Sequence, residues 1–221
     1  LTISENRKRI KINKIPKKFT SKDSELIKKS LPFELTNDQE KVLNEVNRDL
    51  LSDKRMFRII QGDVGSGKTI VSLLSILNVI KSGYQCALMS PTEILAKQHY
   101  TLIKNIFKNE NFNIEFLTGK TEYKIRKVIL ADLTSGKIKL LVGTHALFQK
   151  KIDFKNLGLV VIDEQHKFGV KQRSNLAKKG GNECDVLLMS ATPIPRTMMM
   201  SLYGDMDISK ITEKPAKRKK I

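Results

Sequence analysis

Residues 62–69 read Gly-Asp-Val-Gly-Ser-Gly-Lys-Thr. They follow a short, mostly apolar run, Phe57-Arg58-Ile59-Ile60-Gln61, and lead into a stretch with almost no polar face from Ile70 to Ile80. A strand, a glycine loop closing on Gly67-Lys68-Thr69 and then a helix make the phosphate-binding P-loop arrangement. Each residue type in it has a physical task. Gly62, Gly65 and Gly67 free the backbone to turn its N–H groups inward around a polyphosphate, with the Ser66 amide among them. Lys68 brings a point charge to the β- and γ-phosphates, and Thr69 offers a hydroxyl to Mg²⁺. The helix start adds its positive end. The ligands expected are therefore a polyphosphate and Mg²⁺.

The segments after the loop alternate. Strands are predicted at Tyr84–Ser90, Asn113–Leu117, Lys139–Gly143, Gly158–Asp163 and Asp185–Ser190. Helices are predicted to start near Pro91, Thr121, Val170 and Pro195. Continuously apolar runs such as Leu159-Val160-Val161-Ile162 suit a parallel sheet covered on both faces. The fold class is thus α/β, a doubly wound, mostly parallel sheet of the P-loop NTPase kind. Ligands in such sheets sit beyond the carboxyl ends of the strands. Upstream, Val42, Leu43, Val46, Leu50 and Leu51 recur at helical spacing, with Thr36 or Asn37 as the cap. Residues 21–30 carry a short candidate helix.

Asp163-Glu164 stands where an NTPase needs carboxylates, at the end of an apolar strand. Asp163 is the candidate Mg²⁺ holder, and Glu164 the candidate base for the attacking water. Ser190-Ala191-Thr192 ends the next strand. Its hydroxyls either bridge toward the acidic motif or cap the following helix.

The chain has 221 residues and a net charge of +18. Such a charge points to a polyanionic partner, and nucleic-acid binding by surface lysines would be salt-dependent. Residues 1–30 hold 10 Lys/Arg against 3 Asp/Glu, and the tail from Lys214 is also basic. We read 1–30 as a basic linker, 31–205 as the nucleotide-binding domain and 206–221 as a second basic linker. No apolar run reaches the ~18 residues of a membrane span. No secretory signal is evident, and a cytoplasmic monomer without membrane contact is expected. Cys86 and Cys184 read as two buried thiols. His99, His145 and His166 show no metal-ligand spacing.

Taken in order, these segments resemble the superfamily 2 helicases and translocases. Leu35-Thr36-Asn37-Asp38-Gln39 is similar to that superfamily's adenine-sensing Q motif. Pro91-Thr92-Glu93-Ile94-Leu95-Ala96-Lys97-Gln98-His99 is similar to its motif Ia. Leu117-Thr118-Gly119 and Val142-Gly143-Thr144-His145-Ala146-Leu147 resemble the DNA-contact motifs that follow. Asp163–His166 with the run to Arg173, and Ser190 to Thr197, resemble the RecG-type branched-DNA helicases. Transcription-repair coupling translocases share much of this. Gln165, where those usually have Glu, favours the RecG type.

The resemblance implies a RecA-like motor domain that uses ATP to remodel forked or Holliday-type DNA. It implies that Gln39 reads adenine with Phe33 beside it, although for Phe33 core packing is the preferred reading. It gives Thr92, Thr118, Gly119, Thr144 and His145 to the DNA side. Thr92 is also a candidate helix cap and His145 a candidate packed turn residue. His166, Ser190 and Thr192 would couple nucleotide state to DNA grip, and Arg196 would face DNA or make a structural ion pair. The family's wedge domain and second RecA-like domain, which supplies an arginine finger, have no counterpart in these residues. The alternatives are a duplex-DNA translocase of the transcription-repair coupling type and a non-catalytic nucleic-acid-binding fragment.

Overall fold

The structure is a computed structural model. It describes residues 12–149, 151–164, 181, 184–192 and 206–213. The helices expected near Val170 and Pro195, together with His166 and Arg196, lie outside the described residues.

Seven strands form one sheet: β1 (Phe57–Gly62), β2 (Gln85–Met89), β3 (Asn113–Leu117), β4 (Ile138–Gly143), β5 (Leu157–Ile162), β6 (Asp185–Ser190) and β7 (Asp207–Ile211). Their order is β3-β4-β2-β5-β6-β1-β7, and every neighbouring pair runs parallel. All seven carboxyl ends therefore open on one edge. Successive side chains point to opposite faces, so each buried strand feeds two cores. Cys86, Leu88, Leu159, Val161, Leu187 and Met189 pack on one face. Ala87, Val160, Ile162, Val186 and Leu188 pack on the other. This is why the strand sequences are continuously apolar rather than alternating.

The helices are α1 (Ser21–Ser30), α2 (Asn37–Leu51), α3 (Lys68–Lys81), α4 (Glu93–Ile106) and α5 (Tyr123–Ser135), with a 3₁₀ turn at His145–Phe148. Helix α3 is buried from Ile70 to Ile80. It is enclosed between the sheet and the pair α1 and α2, so no polar face survives. Helix α2 begins with a full capping box: Gln39 N–H donates to Thr36 Oγ1, and Thr36 N–H donates to Gln39 Oε1. Thr36, not Asn37, is the cap. Helix α5 packs Ile129 and Leu133 on the opposite face of the sheet.

Two stretches read as basic linker contain packed structure. Asp207–Ile211 is the edge strand β7, paired along β1. Ile211 is buried while Asp207 and Lys210 face outward, so the segment lacks the apolar run that marks the inner strands. Residues 12–17 lie along the base of the domain, with Lys14 N–H donating to Asp53 O and Lys17 N–H to Leu50 O. The Lys14 ammonium meets both oxygens of Asp185 at 2.8 and 2.7 Å, and Lys17 Nζ stands 3.2 Å from the same carboxylate. All three side chains are 0% exposed. Met56 N–H donates to Asp185 Oδ1 at 2.7 Å. Burial pushes the Lys14 ammonium below the usual lysine range, and Asp185 pulls it partly back. Part of the chain's excess positive charge is therefore internal.

The chain leaving β7 is held at the start of α2. Asp38 accepts from Thr212 Oγ1 at 2.6 Å, Thr212 N–H at 2.7 Å and Glu213 N–H at 3.0 Å. The Thr212 hydroxyl first, then the two amides, hold the Asp38 carboxyl below its usual range. A depressed acid contributes stability above its unfolded pKa and loses it as pH falls through the folded value. Acidification to below the usual aspartate range should therefore release Thr212 and Glu213. In Asp38→Ala, which removes the acceptor, the same two amides should lose hydrogen-exchange protection at neutral pH while those of β1 keep theirs.

Both cysteines are buried and unpaired. Burial pushes the Cys184 thiol up to about 12.

Candidate functional site

The loop between β1 and α3 takes the shape that its glycines allow. Gly65 and Gly67 lie at φ +79° and +86°, in the left-handed region. A Cβ on Gly67 would also run into Gln39 Nε2, and one on Gly62 would fall 2.6 Å from Ser66 Oγ. Lys68 reaches back across the loop and donates to Gly62 O at 2.6 Å and Asp63 O at 2.9 Å.

Strands β1 and β5 are separated only by β6 and run the same way, so Asp163 and Glu164 open on the same edge as the loop. Electrostatics places the two motifs within mutual reach. Burial lowers the pKa of Lys68, and the carboxylates of Asp163, Glu164 and Asp63 oppose that shift. The Lys68 ammonium, donating to two loop carbonyls at the edge where Asp163 and Glu164 open, suits a polyphosphate. The loop fits such a group on a second count: Ser66 Oγ is buried and has no hydrogen-bond partner in the protein, which suits a bound oxyanion. Thr69 opens α3 beside Lys68.

Gln39 is 1% exposed. Its Nε2 donates to Ser66 O at 2.7 Å while its Oε1 holds the Thr36 amide, so this side chain props the phosphate loop. One amide hydrogen remains unassigned. Phe33 is not in the core, contrary to the preferred reading. It is 40% exposed, in the bend between α1 and α2.

Asp163 is fixed on three sides. Its N–H donates to Met89 O at 2.8 Å, its Oδ1 accepts Glu164 N–H at 2.9 Å, and its Oδ2 lies 2.7 Å from His99 Nε2. Glu164 has φ +48°, an uncommon value for a side chain of its size. Sequence reasoning missed His99 as a member of this site. The signal was present: Ala96, His99 and Ile103 form the buried stripe of α4, so a polar side chain on that stripe has to meet a partner inside.

The residues assigned to the DNA side divide by burial. Thr92 is exposed and caps α4 by accepting Leu95 N–H. Gly119 and His145 are also exposed, so His145 is not a packed turn residue. Thr118 is buried and organises its own turn, accepting Lys120 N–H and donating its amide to Thr121 Oγ1. Thr144 is 1% exposed, and its hydroxyl has no partner. The hydroxyl of buried Ser90, which follows the adjacent strand β2, also has no partner, and its N–H donates to Gly143 O. Ser190 is buried and folds back on Thr192, donating to Thr192 O and accepting Thr192 N–H. Among the described residues no three His, Cys, Asp or Glu form a metal cluster, and no helix is long and apolar enough to cross a membrane.

A family model of the DEAD/DEAH box helicases matches residues 36–201. The chain is 49% identical over 207 residues to the ATP-dependent DNA helicase RecG of Thermotoga maritima, covering 94% of this chain and 26% of the relative. It is 50% identical over 216 residues to the RecG of Aquifex aeolicus, covering 96% of this chain and 27% of that one. A solved structure of RecG bound to a three-way DNA junction superposes with a TM-score of 0.82 at 45% identity, over 95% of this chain and 28% of that one. The chain thus spans about a quarter of the length of these relatives. The helicase MrfA shares the fold alone, with a TM-score of 0.67 at 19% identity. With its phosphate loop and acidic pair on one sheet edge, the chain belongs to the DEAD/DEAH box helicase family as a RecA-like domain similar to that of RecG.

Proposed function

We propose that this chain is the ATP-binding motor domain of a helicase or translocase that remodels branched DNA. The observation that carries the reading is the convergence of the loop cation Lys68 with Asp163 and Glu164 at one sheet edge. The glycine loop, Ser66 and Lys68 hold the phosphates. Thr69 and Asp163 hold Mg²⁺, which spreads the charge of the phosphates. Glu164 takes the proton of the attacking water. Gln39 offers its remaining N–H to adenine, and the exposed Phe33 offers a face for it. Thr92, Gly119 and His145 meet the DNA, while buried Thr118 and Thr144 shape the turns that present them. Ser190, Thr192 and His166 transmit nucleotide state to that face. Similarity to a RecG bound to a three-way junction supports branched DNA over linear duplex as the substrate of the whole protein. A preference of the longer protein for linear duplex over forks would favour the transcription-repair coupling reading instead.

The decisive measurement is ATP affinity in wild type and Lys68→Ala. A hydrogen bond to a charged group is worth about 1.5–3 kcal/mol, so affinity should fall by about 10- to 150-fold. Equal affinities would favour a binding fragment with an idle motor site.

A further inference from the structure

Among the described residues, His99 touches Asp163 of the acidic pair and has no assigned task. It comes from a different element, α4, and its Nε2 lies 2.7 Å from Asp163 Oδ2. An ionised carboxylate only accepts, so the ring hydrogen sits on Nε2 and His99 donates. The other restraints on Asp163 are backbone groups at or beside its own strand: Glu164 N–H on Oδ1 and the carbonyl of Met89 on its amide. The side-chain angle of Asp163 is therefore set from outside the strand by His99.

Helix α4 also has an end on the nucleic-acid face. Its cap, Thr92, is exposed, and the neighbouring Glu93 pairs with Lys120 in the Thr118–Thr121 turn at 3.2 Å. Thr92 and His99 are seven residues apart, two helical turns, or roughly 10 Å along a rigid rod. Ala96, His99 and Ile103 clamp that rod against the sheet. A shift of the α4 start on DNA contact has a direct mechanical route to Asp163.

We propose that His99 is a positioning residue. It holds the metal-binding carboxylate of Asp163 at the angle set by α4, and so links the nucleic-acid face to the metal side of the nucleotide site. The proposal rests on the nucleotide reading above. The competing account is a core histidine whose only duty is to be hydrogen-bonded.

The test uses the whole chain and reads binding, not turnover. Mn²⁺ replaces Mg²⁺, and its affinity in the presence of ATP is followed by electron paramagnetic resonance, with and without a forked oligonucleotide. Two variants are compared with wild type. His99→Gln keeps an amide N–H near the position of Nε2. His99→Asn is equally polar but too short to reach Asp163. Loss of a partner behind a metal ligand typically costs about 10- to 100-fold in metal affinity. His99→Asn should weaken Mn²⁺ by about tenfold or more and abolish any response to the fork, whereas His99→Gln should stay within about threefold of wild type. Equal Mn²⁺ affinity in both variants, whatever their melting temperatures, overturns the proposal in favour of a core histidine. A wild-type chain that binds no nucleotide would instead overturn the nucleotide reading, which Lys68→Ala tests separately.

Discussion

Purified by itself, the 221-residue chain is expected to bind ATP with Mg²⁺ and to turn it over about 10³- to 10⁵-fold more slowly than a longer protein carrying both motor halves. In the reading proposed above, the residues at the sheet edge would perform the holding and the proton transfer, with Lys68, Ser66 and the glycine loop on the phosphates and Glu164 as the base. Phosphoryl transfer, however, depends mainly on stabilising the charge spread over the transferring group, and an arginine finger supplies about that factor of 10³–10⁵. In the family that this chain resembles, the finger comes from the second RecA-like domain. Single-turnover hydrolysis at saturating nucleotide, with and without forked DNA, checks the expectation. Strand separation should also be absent, since it needs two domains that close and open on the nucleotide. Brisk DNA-stimulated hydrolysis by the isolated chain would mean that its own residues complete the site.

The second large effect concerns stability. Asp185→Ala should lower the unfolding free energy by about 3–5 kcal/mol, the usual cost of removing one partner from a buried ion pair. Two ammonium groups, Lys14 and Lys17, would remain in the interior without the Asp185 carboxylate, and the Met56 amide would lose its acceptor. Against a typical total of about 5–15 kcal/mol, that is a large share. Urea titration followed by circular dichroism measures it. The comparison with Asp185→Leu combined with Lys14→Met and Lys17→Met is informative, because an apolar replacement of the whole cluster is often close to neutral. A loss below about 1 kcal/mol in Asp185→Ala would show that residues 12–17 do not depend on the cluster.

Much of this was legible in the residues themselves. Strands β3 and β6 have the bounds predicted for them, β1 and β4 differ by one residue at one end, and β2 and β5 by one residue at each end. Inner strands of a covered parallel sheet such as β5 are continuously apolar, which made them stand out. The edge strand β7 escaped notice for the opposite reason, since Asp207 and Lys210 lie on its solvent side and leave a mixed pattern. The phosphate loop and the acidic pair were readable because local chemistry fixes them: glycine for backbone freedom, lysine for charge, carboxylates at a strand end. Contacts made across the fold were not readable. His99 and Asp163 are 64 residues apart, and Lys14 and Asp185 are 171 apart. Spacing along a chain says nothing of pairs that only the sheet order brings together. Gln39 shows a subtler limit. Its place in the first turn of a capped helix was readable, but its hold on Ser66 required knowing that α2 starts against the loop.

That start of α2 has a geometric outcome for the rest of the molecule. Gln39 grips the carbonyl of Ser66, and the residue just before it, Asp38, grips the strand exit at Thr212 and Glu213. Adjacent Cα atoms are only ~3.8 Å apart. The glycine loop and the departure point of the downstream polypeptide thus hang from a single peptide unit, and any tilt of that unit steers both at once.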